Sequence, residues 1–197
     1  LVFVMITGIL WFYSTTYKRQ FLIGNVIVAL LTALVPLMVL LFEIPLLREK
    51  YGLLMIELKA NFNYIILWVA AFSFYALLLT LIREIIKDVE DFEGDNAYGR
   101  NTLPIVLGVM NTKIIIITFI LFTQFSIIYV YFRFLKDIIT LIYFSLFLII
   151  PLLMLLYKIF VAKEKKDYHF ASNLAKGIML AGILYALVAN YLILQHF

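Results

Sequence analysis

Residues 21–42 read FLIGNVIVALLTALVPLMVLLF, without one charged side chain. An α-helix needs about 20 consecutive apolar residues to cross the ~30 Å hydrocarbon core of a bilayer. Comparable runs recur along the chain. In lipid every backbone N–H and C=O must find its partner within the protein, and a helix does this inside its own segment. The 197 residues are 65% hydrophobic and only 14% charged, against roughly half and a quarter in a soluble domain. The sequence therefore predicts an all-α fold, a polytopic transmembrane helical bundle forming a single domain over residues 1–197. Six membrane helices are expected near 1–13, 21–42, 62–82, 113–132, 138–157 and 173–195. Charged residues fall between or at the edges of these spans, as the cost of charge at mid-bilayer requires. Pro36 and Pro151 lie within apolar runs, where neighbouring helices can satisfy the carbonyls that proline frees. Residues 43–60 are expected to form a longer connection, with room for a short interfacial helix.

The first run, LVFVMITGILWFY, begins at Leu1 and stops at the polar STTYKRQ. Its ~13 residues are too few to span a bilayer. It lacks the basic flank and small-residue cleavage site of a signal peptide. The expectation is a chain cut in mid-helix, with its upstream part missing. The absence of cysteine excludes disulfides, thiolate zinc sites and cysteine nucleophiles. The net charge of +4 is small and bears on topology, not on nucleic acid. Eleven of the 16 Lys and Arg residues fall in the connections around 18–19, 83–113 and 158–176. The others, Arg48, Lys50, Lys59, Arg133 and Lys136, fall on the opposite side. The positive-inside rule puts the first set in the cytoplasm, which makes this an integral protein of the cell (inner) membrane.

On that cytoplasmic side lies LIREIIKDVEDFEGDNAYGRNTLP, residues 81–104. Glu84, Asp88, Glu90, Asp91, Glu93 and Asp95 in this stretch are half of the chain's 12 acidic residues. If the preceding helix continued through residue 95, Glu84, Asp88, Asp91 and Asp95 would lie at about −40°, 0°, −60° and −20°, on one stripe. Like charges at these spacings repel, so something positive should compensate. Mg²⁺ suits carboxylate oxygens, keeps several waters, and bridges to substrate phosphates, so one to three carboxylates are enough. On spacing alone two readings stand: a solvated acidic loop with Lys87 and Arg83 in surface pairs, or a metal–diphosphate site.

The same residues carry a family resemblance. REIIKDVEDFEGDNAYGRNTLPIVLG resembles the second aspartate-rich motif of the UbiA-type intramembrane prenyltransferases, a pattern close to R-E-x-x-K-D-x-x-D-x-E-G-D-x-x-x-G-x-x-T-L-P. It most resembles the digeranylgeranylglyceryl phosphate synthase branch. Homogentisate and chlorophyll prenyltransferases share much of the Asp-Glu-Gly-Asp core. A second stretch, YSTTYKRQFLIGN, is similar to the family's connection between its fourth and fifth helices. The six helices then correspond to helices four to nine of a nine-helix, UbiA-like fold whose N-terminal helices are missing here.

The resemblance implies Mg²⁺-dependent transfer of a prenyl group from an allylic diphosphate, such as geranylgeranyl diphosphate, to an acceptor in the membrane. That acceptor would be geranylgeranylglyceryl phosphate or, alternatively, an aromatic quinone precursor. It implies Asp91 and Asp95, with Asp88 before them, as metal ligands. It implies Lys18, with Arg19 and Tyr13 beside it, as diphosphate contacts; Lys87 joins them as a candidate. Asp91, Asp95 and Lys18 would be the catalytic set. The partners implied are the prenyl diphosphate, an amphiphilic acceptor and membrane lipid. The family's first motif, N-x-x-x-D or N-D-x-x-D, has no counterpart: the chain's five aspartates are Asp88, Asp91, Asp95, Asp137 and Asp167. The chain is therefore expected to be half a site, inactive alone.

Gly94 and Gly99 are expected to permit tight backbone or a helix break. Arg100 and Asn101 are assigned structural roles, and His169 a place in a solvated loop. Gln124 and Asn190 are either cavity-lining or packing residues. Two rivals are weighed. A CDP-alcohol phosphotransferase needs D-G-x-x-A-R well upstream of its later aspartates, and no aspartate precedes Asp88. A transporter, or an inactive homologue, would place its ionisable groups near the midplane, whereas here the charge sits at one edge.

Overall fold

The computed structural model describes residues 2–15, 20–57 and 62–195, and among these it contains helices and turns but no strand. The helices are α1 (Val2–Thr15), α2 (Ile23–Glu57), α3 (Asn63–Glu90), α4 (Phe92–Ala97), α5 (Leu103–Leu107), α6 (Val109–Val130), α7 (Ile138–Tyr143), α8 (Ile150–Val161) and α9 (Lys165–Gln195). A π-helical turn, Tyr131–Leu135, extends α6, and another, Phe144–Ile149, joins α7 to α8. Five continuous helical stretches are long and apolar enough to cross a membrane: Ile23–Leu54, Asn63–Glu90, Val109–Leu135, Ile138–Val161 and Lys165–Leu194. The apolar Phe3–Tyr13 is shorter. Their outward faces carry exposed residues such as Leu53, Phe125, Leu153, Phe160 and Leu187, which is where lipid would lie.

Three helices are longer than the sequence suggests. α2 runs on through Pro45 to Glu57 in place of the expected connection over 43–60. Its charged Arg48, Glu49 and Lys50 are exposed, so the extension costs no buried charge. α3 continues to Glu90 instead of stopping near residue 82. α9 begins at Lys165 instead of residue 173. The Asp167 carboxylate accepts the N–H groups of Lys163 and Glu164 at 2.9 and 3.0 Å, filling donors that a helix start leaves open. His169 thus stands on a helix, not in a loop.

The bundle is centred on α3, which packs most extensively against α2 and α9, and also against α6. Lipid offers little hydrophobic drive for helix association, so close van der Waals contact must do the work. Small residues permit it: Ala29 and Ala33 of α2, and Ala171 and Ala175 of α9, are buried. Each pair is spaced i, i+4, on one face of its helix. Ile82, Ile85 and Ile86 of α3 meet Ile116 and Ile120 of α6 and Leu152, Leu155 and Ile159 of α8 in the same core, all fully buried. This packed layer lies directly beneath the acidic end of α3, so the carboxylates rise from a rigid base.

Several polar groups inside the bundle are satisfied by backbone carbonyls. The Thr112 and Thr123 hydroxyls donate to the carbonyls of Gly108 and Phe119 at 2.9 and 2.8 Å. Gln124 is buried and its amide donates to the Ile149 carbonyl at 3.4 Å, beside Pro151. Lys113 donates to the carbonyls of Phe160 and Ala162 at 3.1 and 2.8 Å, closing the C-terminus of α8. That end is rich in unpaired carbonyls and carries partial negative charge.

Candidate active site

Toward its C-terminus α3 presents Glu84, Asp88 and then Asp91. At Asp91 the backbone leaves the helical region, with φ −92° and ψ 8°, and α4 starts at the next residue. The break is slight. The Asp91 N–H still donates to the Lys87 carbonyl, and the Asp95 N–H to the Asp91 carbonyl, both at 2.9 Å. Helical spacing is therefore kept from Asp88 through Asp95, and the three aspartates occupy successive turns.

α4 ends in a motif that turns the chain back on the site. The Gly99 N–H donates to the Asn96 carbonyl at 3.2 Å, and the Arg100 N–H donates to the Asp95 carbonyl at 3.0 Å. These are the paired bonds of a Schellman C-cap, which requires a left-handed residue between them. Gly99 supplies it, at φ +63°. The reversal brings the Arg100 guanidinium 2.8 Å from Oδ1 of Asp95. Asp95 is 5% exposed, and a carboxylate this buried needs a partner. Arg100 is that partner.

The other carboxylates divide. Asp88 Oδ2 accepts a 2.6 Å hydrogen bond from the Asn25 side-chain amide, on the first turn of α2. Glu84 pairs with Arg83. Glu90, on another face, lies 2.8 Å from His169 Nδ1. His169 Nε2 is 3.1 Å from the Asn173 amide, and Asn173 accepts from Lys176 at 3.1 Å. Asp91 is half-buried, and its carboxylate makes no hydrogen bond or ion pair among the described residues. Tyr13 of α1 lies within electrostatic reach of Glu84 and Asp88. Lys87 is exposed and stands at the edge of the stripe, one turn before Asp91 and about 40° from it around α3. Lys18 and Arg19 lie outside the described residues.

Among the described residues no three carboxylate or imidazole groups converge closely enough to enclose a cation. The donor chemistry nonetheless fits a hard divalent ion. Asp91 is uncommitted, and Asp88 and Asp95 each have one oxygen engaged and one open. A few such oxygens are enough for an ion that completes its shell with water and phosphate.

Asn25 closes the YSTTYKRQFLIGN stretch that resembles the family's connection, but nothing in its spacing points to Asp88. It follows Gly24 in an apolar context, and its partner is 63 residues away. An apolar cavity of about 330 Å³ opens elsewhere, lined by Trp68, Phe72, Tyr75, Phe144 and Tyr185 among others. Its nearest α3 residue, Leu79, lies nine residues before Asp88, about 13 Å along the helix. The cavity contains no carboxylate and is separate from the acidic end.

The chain is 31% identical over 126 residues to a digeranylgeranylglyceryl phosphate synthase of Methanothermobacter thermautotrophicus, covering 64% of this chain and 38% of that one. It is 33% identical over 150 residues to the enzyme of that name from Methanosphaera stadtmanae, covering 71% and 48%. It is 35% identical over 115 residues to that of Pyrococcus furiosus, covering 58% and 34%. The chain thus spans about half, or less, of the length of the curated relatives it matches. No solved structure matches it significantly. The model of the UbiA prenyltransferase family matches residues 1–190, nearly the whole chain, so the chain belongs to that family.

Proposed function

We propose that this chain supplies the second aspartate motif of an intramembrane active site. In the full-length gene product that site transfers a prenyl group from an allylic diphosphate to geranylgeranylglyceryl phosphate. The observation that carries the reading is the stripe of Asp88, Asp91 and Asp95 at the end of α3. Asp91 is uncommitted there, and the flanking carboxylates are each held by one neutral or basic partner. The similarity to the three archaeal synthases supports the acceptor. The acidic end is assigned to the cytoplasmic face of the cell membrane, on the distribution of Lys and Arg.

Asp88, Asp91 and Asp95 would hold Mg²⁺, which supplies charge neutralisation at the diphosphate oxygens. Lys18, Arg19 and Tyr13 are the residues proposed to meet the diphosphate. As the allylic C–O bond breaks, diphosphate leaves with the electron pair, and a fixed lysine cation stabilises charge where it develops. The acceptor hydroxyl then attacks the allylic carbon, forming the ether C–O bond, and its proton passes to the released diphosphate. Exclusion of water keeps the carbocation from being hydrolysed, and the apolar helices provide that exclusion.

The test is to assay the full-length gene product in nanodiscs with geranylgeranyl diphosphate, with Mg²⁺ or with EDTA. Product is expected with geranylgeranylglyceryl phosphate, and only with Mg²⁺. Turnover of an aromatic acceptor instead would move the protein to quinone biosynthesis. No transfer to either acceptor would overturn the proposal.

A further inference from the structure

We infer that Asn25 is a positioning residue for the reaction: it fixes the Asp88 carboxylate for cation binding and ties the start of α2 to the acidic end of α3. The inference rests on the reading of Asp88 as part of the cation site.

The geometry carries it. The amide nitrogen of Asn25 donates to Oδ2 of Asp88 at 2.6 Å, and an amide N–H₂ cannot accept, so the bond's direction is fixed. It leaves Oδ1 as the Asp88 oxygen open to a cation. It also compensates a crowded charge. Asp88 feels Glu84, Asp91 and Asp95, and no basic side chain among the described residues pairs with it. A neutral donor holds the carboxylate in place without competing for its charge, whereas the Arg100 guanidinium on Asp95 does compete. Partners of this kind, which orient a metal-binding carboxylate through its second oxygen, commonly govern metal affinity as strongly as some ligands do.

The backbone around Asn25 is shaped for the contact. Leu22 adopts a left-handed conformation, φ 56°, uncommon for a residue with a side chain. Its carbonyl accepts the Val26 N–H at 3.0 Å, so this residue starts α2. Gly24 is buried beside Asn25. Ala29 and Ala33 continue the Asn25 face at i+4 and i+8, both buried. α2 therefore approaches α3 along a stripe of small residues, and the one polar member meets the one aspartate of α3 that faces it.

A merely structural interhelical bond would also stabilise the bundle, so melting alone is not the test. The experiment follows the thermal melting of the full-length gene product as Mg²⁺ is titrated in the presence of inorganic diphosphate. It compares wild type, Asn25→Leu, Asp88→Asn and the double variant. Leu keeps the shape of Asn without its polar groups and suits a membrane helix. If Asn25→Leu does not fold, Asn25→Ser gives the same cycle with a shortened donor. The Mg²⁺ concentration giving the half-maximal shift is expected to rise roughly 10- to 100-fold in Asn25→Leu. The double variant should match Asp88→Asn within about twofold, because Asn25 then has no carboxylate left to orient. An unchanged midpoint in Asn25→Leu overturns the inference while leaving the cation site standing. So does a shift that persists undiminished in the Asp88→Asn background. An unchanged midpoint in Asp88→Asn removes Asp88 from the site, and the inference with it.

Discussion

Gly94 and Gly99 stand five residues apart in one motif, and the structure assigns them opposite sensitivities. A Cβ added at either would meet nothing within 4 Å, so neither glycine is there to make room. The difference is in the backbone. Gly99 holds φ +63° as the left-handed residue of the Schellman turn, whereas Gly94 lies within α4 at ordinary helical φ. A left-handed L-residue costs about 1–2 kcal/mol. Gly99→Ala should therefore destabilise the protein by about that amount. A further fraction follows if the turn relaxes and Arg100 moves off Asp95, whose side chain is only 6% exposed. Gly99→Asn should cost less, since Asn tolerates this region. Gly94→Ala should be neutral or stabilising by about 0.4–1 kcal/mol, through a less flexible unfolded chain. In a helical protein of about this size 1 kcal/mol corresponds to about 2–4 °C. Thermal melting of the three variants in detergent should rank Gly94→Ala above Gly99→Asn above Gly99→Ala. Equal melting of Gly94→Ala and Gly99→Ala would refute the assignment of the turn, and with it the account of how Arg100 reaches Asp95.

Asp91→Ala should abolish prenyl transfer with little change in melting, because its carboxylate makes no hydrogen bond or ion pair among the described residues. Asp95→Ala should abolish transfer and also lower stability by about 1–3 kcal/mol, since it strands Arg100 over a buried position; equal melting of the two variants would argue against the buried pair. Lys18→Met should lower kcat by about 10²–10³ with little change in KM if the lysine stabilises departing diphosphate, and steady-state kinetics with unchanged kcat would remove it from the site. Lys113→Met should lower melting by the equivalent of about 1 kcal/mol through the lost carbonyl bonds at the end of α8, while leaving the Mg²⁺ dependence of transfer unchanged.

The bundle was legible in the sequence because lipid imposes a simple rule: an apolar run of sufficient length becomes a helix. The ends were less legible because that rule stops at the membrane surface. Charges at 83–90 mark where α3 leaves the apolar layer, not where it stops, so its expected end at residue 82 was short by two turns. The same applies to α2 beyond residue 42. The start of α9 depends on one side chain, Asp167, reaching back to two N–H groups, and a run of lysines conceals it. The aspartate stripe was readable from its spacing because it lies within one helix and one turn. The pairings of Asn25 with Asp88 and of His169 with Glu90 were not readable, since both join residues 63 or more positions apart, and no periodicity within one element encodes them.

The acidic end of α3 is proposed to hold a divalent cation together with diphosphate. Mn²⁺ can stand in for Mg²⁺ at oxygen ligands and is paramagnetic, so its binding can be counted directly. Electron paramagnetic resonance of the full-length gene product with Mn²⁺ and inorganic diphosphate should show bound ion in the wild type, and that signal should be lost in Asp91→Ala while the protein remains folded. Undiminished Mn²⁺ binding in a folded Asp91→Ala variant would contradict the claim.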